Sequence, residues 1–227
     1  MNHLVHKIIC GDCIEVMKEM ESDSVDLVLT DPPYNAEIKY GNNFDDSKEW
    51  KRYSQWVLEA IKESERISKG PVMFFLSNRG MREMIGLYQP HWVCAWVRGP
   101  GNPAGDIRGT LMIPYWEPCL VYGNVKRVRA RLHDTWIFSH EMKKTNHPCP
   151  KSLNLIERII SSGEWNTILD PFLGSGTTSV AAERLGKNSI GIEISKEYCE
   201  IAYKRLLKEV KQTKLNRKAS VIERIGF

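Results

Sequence analysis

Residues 167–194 read Thr-Ile-Leu-Asp-Pro-Phe-Leu-Gly-Ser-Gly-Thr-Thr-Ser-Val-Ala-Ala-Glu-Arg-Leu-Gly-Lys-Asn-Ser-Ile-Gly-Ile-Glu-Ile, and this stretch decides the fold class. The apolar run 167–170 predicts a strand, the glycines that follow predict a tight turn, and 177–185 predicts a helix closed by Gly186. A second apolar run, 188–194, predicts the next strand. Strand, helix and strand in this order indicate a right-handed βαβ unit and therefore an α/β protein with parallel strands.

The N-terminal part of the chain repeats the same alternation. Lys7–Cys10 and Val25–Thr30 read as buried strands, and residues 48–68 carry apolar side chains at helical spacing. Val72–Leu76 is a continuous apolar run, which is typical of a parallel strand covered on both faces. We therefore expect a mostly parallel sheet with helices on both sides.

The middle and the end of the chain are less regular. His91–Val97 and Glu117–Tyr122 read as strands with no helix between them, so we expect an antiparallel hairpin at the edge of the sheet. From 123 to 150 no long periodicity is visible. A last helix is predicted after Ser195, and the basic tail beyond Lys208 is expected to be loosely held.

Length and composition indicate one globular domain covering residues 1–227. Hydrophobic residues make up 42% and charged residues 26%, no run would cross a bilayer, and the N-terminus lacks a secretory signal, so we expect a cytoplasmic protein. The net charge of +4 permits a polyanionic partner without requiring one. Cys10 and Cys13 have the spacing of a metal or redox pair, but no second pair follows, and reduced structural thiols are favoured.

Two features of the C-terminal half predict a site for a nucleoside cofactor. Gly174 and Gly176 follow a strand and precede a helix, where bare backbone can approach a ligand closely. Glu193 ends the next strand, where an acidic residue can accept hydrogen bonds from ribose hydroxyls. The turn has neither the full Gly-x-Gly-x-x-Gly pattern nor a phosphate loop, so a cofactor without phosphates is favoured over NAD or ATP. The alternative is a tight turn that needs glycine for backbone geometry only.

The tetrapeptide Asp31-Pro32-Pro33-Tyr34 directly follows a predicted strand and suits a flat base that bears an amino group. The lone pair of an exocyclic amine is delocalised into its ring, so a catalyst must localise it with acceptors on both N–H groups. Asp31 can supply a carboxylate oxygen and Pro32 a carbonyl, both held in place by the stiff prolines. Tyr34 can stack on a base that has left its duplex. The alternative is a rigid exit from the strand with a surface aromatic.

These motifs resemble those of the β group of DNA amino-methyltransferases, which modify adenine N6 or cytosine N4. In that group an Asp-Pro-Pro-Tyr block precedes a Phe-x-Gly-x-Gly block, as Asp31–Tyr34 precedes Phe172–Gly176 here. Asp12 lies where the group has an acid that contacts the adenine of S-adenosylmethionine. Residues 147–151, His-Pro-Cys-Pro-Lys, resemble the group's His-Pro-x-x-Lys-Pro block, with Ser152 in place of the final proline.

The resemblance implies a Rossmann-like methyltransferase fold with a circularly permuted motif order and a seven-stranded, mostly parallel sheet. It implies S-adenosylmethionine as cofactor, no metal, and a catalytic block formed by Asp31, Pro32, Pro33 and Tyr34. The implied cofactor site consists of Asp12, Cys13, Asp31, Lys151, Ser152, Asp170, Pro171, Phe172, Gly174, Ser175, Gly176, Thr177, Glu193 and Ile194.

By the same resemblance, the expected activity is site-specific methylation of adenine N6 in double-stranded DNA. Cytosine N4 is the alternative, because Asp-Pro-Pro-Tyr occurs on both kinds of enzyme. Target recognition is assigned to a short insertion around an edge strand, residues 98–146. Because so little of the chain is left for target recognition, we hypothesise a homodimer that contacts both halves of a short palindrome, and a cognate restriction endonuclease is the other partner considered. Lys126, Arg127, Arg129 and Arg131 are expected to contact DNA phosphates. The alternative is that this basic stretch is a solvated edge strand.

A binding role without turnover and a covalent cysteine mechanism both fit the sequence less well. A protein that binds nucleic acid or cofactor without turnover would not need two acceptors for an amine. A covalent mechanism like that of cytosine-C5 enzymes would need a Pro-Cys nucleophile, and Cys119 and Cys149 each follow a proline. Neither adjoins the strand end that Asp31 occupies, so packing roles are favoured for both thiols.

Overall fold

The computed structural model of the protein describes residues 3–35, 49–98, 115–125, 132–139, 151–213 and 220–226. Strands and helices alternate over most of these ranges. The strands are β1 (Leu4–Cys10), β2 (Leu27–Thr30), β3 (Pro71–Phe75), β4 (Trp92–Val97), β5 (Trp116–Gly123), β6 (Thr135–Ile137), β7 (Thr167–Asp170), β8 (Asn188–Glu193) and β9 (Ser220–Ile225). The helices are α1 (Cys13–Lys18), α2 (Trp50–Ile67), α3 (Asn78–Leu87), α4 (Leu153–Ile160), α5 (Thr177–Arg184) and α6 (Lys196–Thr213).

The described strands form one sheet in the order β6-β4-β5-β3-β2-β7-β8-β1-β9. Neighbouring strands run parallel except at β5, which is antiparallel to both β3 and β4. The mostly parallel α/β fold and the antiparallel pairing of β4 with β5 are therefore confirmed. Within the described ranges, none of the helices combines the length and the apolar character that crossing a bilayer requires.

The sheet extends beyond the predicted seven strands at one edge through β6. The central seven strands are those expected, but the hairpin of β4 and β5 does not form the edge, because β6 pairs in parallel with β4. Trp136 of β6 is buried and packs near Phe75 and Trp96. A strand of three residues carries too little periodicity to be read from the sequence, and this packing is what defines it.

At the opposite edge, the C-terminal tail is more ordered than expected. Helix α6 continues to Thr213, and β9 runs parallel to β1 along its length, from Leu4 opposite Ser220 to Ile9 opposite Ile225. The prediction of a loosely held tail is therefore wrong for residues 209–213 and 220–226. Backbone pairing with β1, which the sequence pattern does not reveal, holds β9 in place.

Helices cover both faces of the sheet. Val72 and Phe74 of β3 belong to a buried cluster with side chains of α2, whereas Met73 and Phe75 belong to a second cluster with side chains of α4 and α5. Successive side chains of a strand point to opposite faces. Because both faces of β3 are covered, its sequence is apolar throughout, as predicted for a parallel strand of this kind.

The strand order brings several strand ends to one edge of the sheet. The chain leaves β2 toward β3 but leaves β7 toward β8, so a crevice opens between the carboxyl ends of β2 and β7. Asp31 follows β2, Asp170 ends β7, Glu193 ends β8 and Asp12 follows β1. Because β5 is antiparallel, its beginning lies at this same edge and brings Glu117 to it.

A buried carboxylate joins the elements on the β1 side of the sheet. Glu183 of α5 lies 2.8 Å from His6 Nε2 and accepts hydrogen bonds from the hydroxyls of Thr213 and Ser220. His6 Nδ1 lies 2.8 Å from the hydroxyl of Ser189. Burial alone would raise the pKa of Glu183, but these hydrogen bonds outweigh it and lower the pKa to about 2. The charged carboxylate thus ties α5 to β1, α6 and β9.

We predict that Glu183→Gln lowers the free energy of unfolding by about 2–3 kcal/mol at neutral pH. A carboxylate whose pKa is lower in the folded state contributes stability above its unfolded pKa, near 4.5, and loses it as the pH falls toward about 2. Denaturant titrations of the unchanged protein and of Glu183→Gln, from neutral pH to about pH 3, should therefore show that the difference in their free energies of unfolding shrinks in acid. Glu223→Gln, in an exposed pair with Lys7, is the control and should change stability little. A difference for Glu183→Gln that stays constant with pH would contradict the assigned role of the charge.

Candidate active site

A cleft opens at the carboxyl edge of the sheet, and most of the predicted site residues line it. All four residues Asp31–Tyr34 are in its wall, together with Lys151. From the predicted cofactor set the cleft brings together Asp12, Cys13, Asp31, Lys151, Asp170, Pro171, Phe172, Gly174, Ser175, Thr177, Glu193 and Ile194. Ser152 and Gly176 do not line it.

Glu193 holds the glycine turn through its carboxylate. Oε2 accepts a hydrogen bond from the backbone N–H of Gly174 at 2.9 Å, and Oε1 accepts one from that of Ser195 at 2.8 Å. Burial raises the pKa of Glu193, and these two N–H groups act against that rise. Each carboxylate oxygen accepts more than one hydrogen bond, so Glu193 keeps capacity for ligand hydroxyls in the cleft.

Asp170 lines the same cleft, but its oxygens already have protein partners. Oδ1 accepts hydrogen bonds from the hydroxyl of Thr30 at 2.6 Å and from the N–H of Phe172 at 3.1 Å. Oδ2 accepts one from the hydroxyl of Thr178 at 2.6 Å. Burial raises the pKa of Asp170 to about 6 although these donors lower it. The carboxylate thus fastens β2, β7 and α5 together beside the site.

Asp31 has one oxygen engaged and one available. Oδ2 lies 2.9 Å from Nζ of Lys151, whereas Oδ1 is buried and accepts no hydrogen bond from any described residue. The hydroxyl of Tyr53 in α2 donates a hydrogen bond to the carbonyl of Pro33 at 2.9 Å and so holds the segment that follows Asp31. A buried acceptor without a donor is unfavourable unless a ligand supplies one. The missing donor at Oδ1 is one that an N–H or O–H of a ligand can supply.

Two charged residues that the sequence did not single out as site residues complete this side of the cleft. Glu117 and Arg98 form a buried ion pair. Glu117 Oε2 also lies 2.6 Å from Nζ of Lys151 and accepts a hydrogen bond from the hydroxyl of Tyr34 at 3.1 Å. A charged residue inside a strand that otherwise reads as core was the signal that could have identified Glu117.

Gly176 packs against α6 and does not line the cleft, and a role for it at the cofactor stays a prediction. Its φ is +83°, and a Cβ added there would lie 3.0 Å from Cβ of Ala202 in α6. Of the two glycines of the turn, only Gly174 lines the cleft. Ser152 likewise is buried at the start of α4, where its carbonyl accepts the N–H of Ile156.

The cysteines described are free thiols, and among the described residues no three His, Cys, Asp or Glu side chains are grouped to hold a metal ion. Cys119 is fully buried in the core, and burial raises the pKa of its thiol well above the usual range. A nucleophilic thiolate at this position is therefore disfavoured. Cys149 lies outside the described residues.

Several predictions of site residues also lie outside the described residues. They concern the phosphate contacts Lys126, Arg127, Arg129 and Arg131, residues 147–150 of the block that ends at Lys151, and most of the insertion 98–146. They stay predictions.

A family model described as DNA methylase, of the N6/N4 type, matches residues 118–204. The chain is 32% identical to the type II methyltransferase M.HpaI of Haemophilus parainfluenzae, over 88% of this chain and 74% of that protein. It is 48% identical to the type II methyltransferase M2.DpnII of Streptococcus pneumoniae, over 89% of this chain and 88% of that protein. It is 28% identical to the DNA adenine methyltransferase YhdJ of Escherichia coli strain K12, over 88% and 82%.

Among solved structures, the fold is similar to that of M1.HpyAVI in complex with SAM. The TM-score is 0.63 and the identity 29%, with 88% of this chain and 100% of that chain covered. A similar fold therefore occurs in a protein whose structure contains SAM.

We predict that Gly176→Ala destabilises the fold without altering the cleft wall. The left-handed backbone costs a residue with Cβ about 1–2 kcal/mol, and the close contact with Ala202 adds to this. Chemical denaturation is the measurement. Gly86→Ala in α3 is the matched control, because an added Cβ there meets nothing within 4 Å and alanine favours a helix. Equal stability of Gly176→Ala and the unchanged protein would contradict the packing role.

Proposed function

This chain belongs to the β group of the N6/N4 DNA methyltransferases, and we propose that it transfers the methyl group of S-adenosylmethionine to the exocyclic N6 of a flipped adenine in double-stranded DNA. The observation that carries the proposal is the buried, unpartnered Oδ1 of Asp31, in the same cleft as the acid Glu193. Oδ1 of Asp31 suits an amine donor, and the carboxylate of Glu193 suits the hydroxyls of a ribose.

The residues of the cleft fit S-adenosylmethionine by charge. The charged side chains that line it are five carboxylates and two cations, namely Asp12, Asp31, Glu117, Asp170 and Glu193 against Arg98 and Lys151. An excess of carboxylates favours a cationic sulfonium and repels phosphates. When bound, the cofactor supplies an electrophilic methyl group on its sulfonium, and this chemistry requires no metal.

We assign the cofactor to the side of the cleft formed by β7, β8 and β1. Glu193 would accept the ribose hydroxyls, since its carboxylate is fixed by Gly174 and Ser195 and keeps acceptor capacity. Asp12 caps α1 with Oδ1 and lines the cleft, where it would face the adenine moiety. Phe172, held edge-on against Trp56 at 5.2 Å between ring centroids, offers an apolar wall.

The Asp-Pro-Pro-Tyr block would hold the target base and prepare its amine. Asp31 Oδ1 would accept one N–H and the carbonyl of Pro32 the other, so that the nitrogen lone pair points away from the ring plane and toward the methyl donor. Both acceptors are fixed before reaction, as electrostatic catalysis requires. When the nitrogen gains the methyl group it must lose a proton, and Asp31 Oδ1 is placed to accept it.

Adenine N6 is favoured over cytosine N4 by the Asp-Pro-Pro-Tyr form of the block, and a relative named a DNA adenine methyltransferase supports this choice. Type II methyltransferases among the relatives favour a restriction–modification role. A homodimer and a cognate endonuclease remain part of this proposal, as does the cytoplasmic location that a DNA substrate implies.

Incubation with unmethylated genomic DNA and S-adenosylmethionine tests the activity directly. Nucleoside mass spectrometry and single-molecule sequencing should find N6-methyladenine within one short sequence motif. N4-methylcytosine would retain the amine chemistry and reject adenine as the target. Measurable cofactor binding with no methylated nucleoside would reject DNA methylation and favour a binding protein.

We predict that Asp31→Ala reduces the methylation rate by at least about a hundredfold, because the fixed acceptor for the amine is lost. The dissociation constant of S-adenosylmethionine, measured by calorimetry, should change by less than about threefold, since the proposed contacts to its ribose and adenine come from Glu193, Asp12 and Phe172 and not from Oδ1 of Asp31. Glu59→Gln, on the outer side of α2, is the control for a lost surface carboxylate. A binding protein without turnover would show no functional loss in Asp31→Ala.

A further inference from the structure

Glu117 is the centre of a buried cluster of charges beneath the Asp-Pro-Pro-Tyr block. Its side chain is 4% exposed, and that of Lys151 is 7% exposed. One carboxylate oxygen pairs with Arg98, and the other contacts Lys151 and the hydroxyl of Tyr34. The hydroxyl of Tyr34 in turn accepts a hydrogen bond from Nζ of Lys151 at 2.8 Å.

The ammonium of Lys151 is the link between this cluster and Asp31. It has three N–H donors, and three acceptors lie within 2.9 Å of it, from Asp31, Glu117 and Tyr34. The direction in which Lys151 meets Asp31 is therefore set by its two other contacts. Removal of the Glu117 contact frees Nζ to move over the carboxylate of Asp31.

The cluster also balances its charges. Two carboxylates, of Asp31 and Glu117, face two cations, of Lys151 and Arg98. Arg98 and Asp31 both act on the phenol of Tyr34, whose pKa is raised well above its usual range by burial and by Asp31, while Arg98 lowers it. Both charges thus lie near one hydroxyl. Without the charge of Glu117, Arg98 would lose the carboxylate it pairs with, and the cluster would hold two cations against the single carboxylate of Asp31.

We propose that Glu117 is a positioning residue for methyl transfer, which neutralises Arg98 and orients Lys151 so that Lys151 engages only Oδ2 of Asp31 and leaves Oδ1 for the target amine. The inference rests on the proposed function. It assigns a role in the reaction to β5, the strand whose reversed direction brings its beginning to the catalytic edge.

The test compares single-turnover methylation rates and cofactor affinities of Glu117→Gln and of the double variant Glu117→Gln/Arg98→Met. Glu117→Gln keeps the shape of the side chain and removes its charge. We expect the rate to fall about a hundredfold, as for a misplaced reacting group, with the dissociation constant of S-adenosylmethionine within about threefold of the unchanged protein. Removal of the competing cation in the double variant restores charge balance and should recover at least about tenfold of the rate.

The matched control is Glu183→Gln, which also removes the charge of a buried, hydrogen-bonded carboxylate but lies beside His6 of β1, several strands away from β5 in the sheet order. It should lose stability and keep its methylation rate. A purely structural role for Glu117 predicts that rate and cofactor affinity fall together, or that the double variant is no faster than the single one. Either result, or an unchanged rate in Glu117→Gln, overturns the inference.

If Glu117→Gln does not melt cooperatively, Glu117→Asp replaces it, because aspartate keeps the charge and withdraws the carboxylate by one methylene. A reduced rate at full cofactor affinity then supports positioning, and a full rate overturns it. The unchanged protein is assayed in parallel on the same DNA. Its failure to methylate would reject the proposed function itself and is thereby distinguished from failure of the role of Glu117.

Discussion

The carboxylate of Asp170 binds the two halves of the molecule together at the point where they diverge. It accepts hydrogen bonds from Thr30 of β2 and from Phe172 and Thr178, which follow β7. From these neighbouring strands the chain runs in opposite directions along the sheet, so the crevice between them is an inevitable result of the topology. The hydrogen bonds of this one buried group hold β2 and the turn after β7 together beside the crevice. The Asp-Pro-Pro-Tyr block, on the base side of the cleft, follows β2, and the glycine turn, on the cofactor side, follows β7.

The carboxylates on the two sides of the cleft are held in place in different ways. On the cofactor side Glu193 is fixed by backbone N–H groups of the turn that it supports, so a ligand meets a rigid acceptor. On the base side Asp31 is fixed by another side chain, Lys151, whose own position depends on residues of β5. Rigidity on the first side comes from local backbone geometry. On the second side it comes from long-range ion pairs, which are more sensitive to substitution.

The sequence allowed the central seven strands, most helices and more than half of the residues that line the cleft to be predicted, because these depend on local periodicity and on motifs at strand ends. Three features depend on distant contacts and could not be read in this way. β6 is defined by the burial of Trp136, β9 by backbone pairing with β1, and the role of Glu117 by partners 19 to 83 residues away in the chain. The packing of Gly176 against Ala202 is a further distant contact that the glycine motif does not reveal, because glycine in such a turn serves approach to a ligand and approach to a neighbouring helix alike.

The reversal of β5 has a consequence for how such a protein can change over time. The connection from β4 to β5 leaves the sheet after Arg98 and returns at Tyr115, and these two residues are joined by a backbone hydrogen bond of 2.9 Å. Both ends are therefore anchored at the rim of the cleft. Because these two residues are held together, a longer connection between them adds little loop-closure entropy. A change in the length of this connection can therefore be absorbed outside the sheet, while Arg98 and Glu117 keep their places beside the cleft.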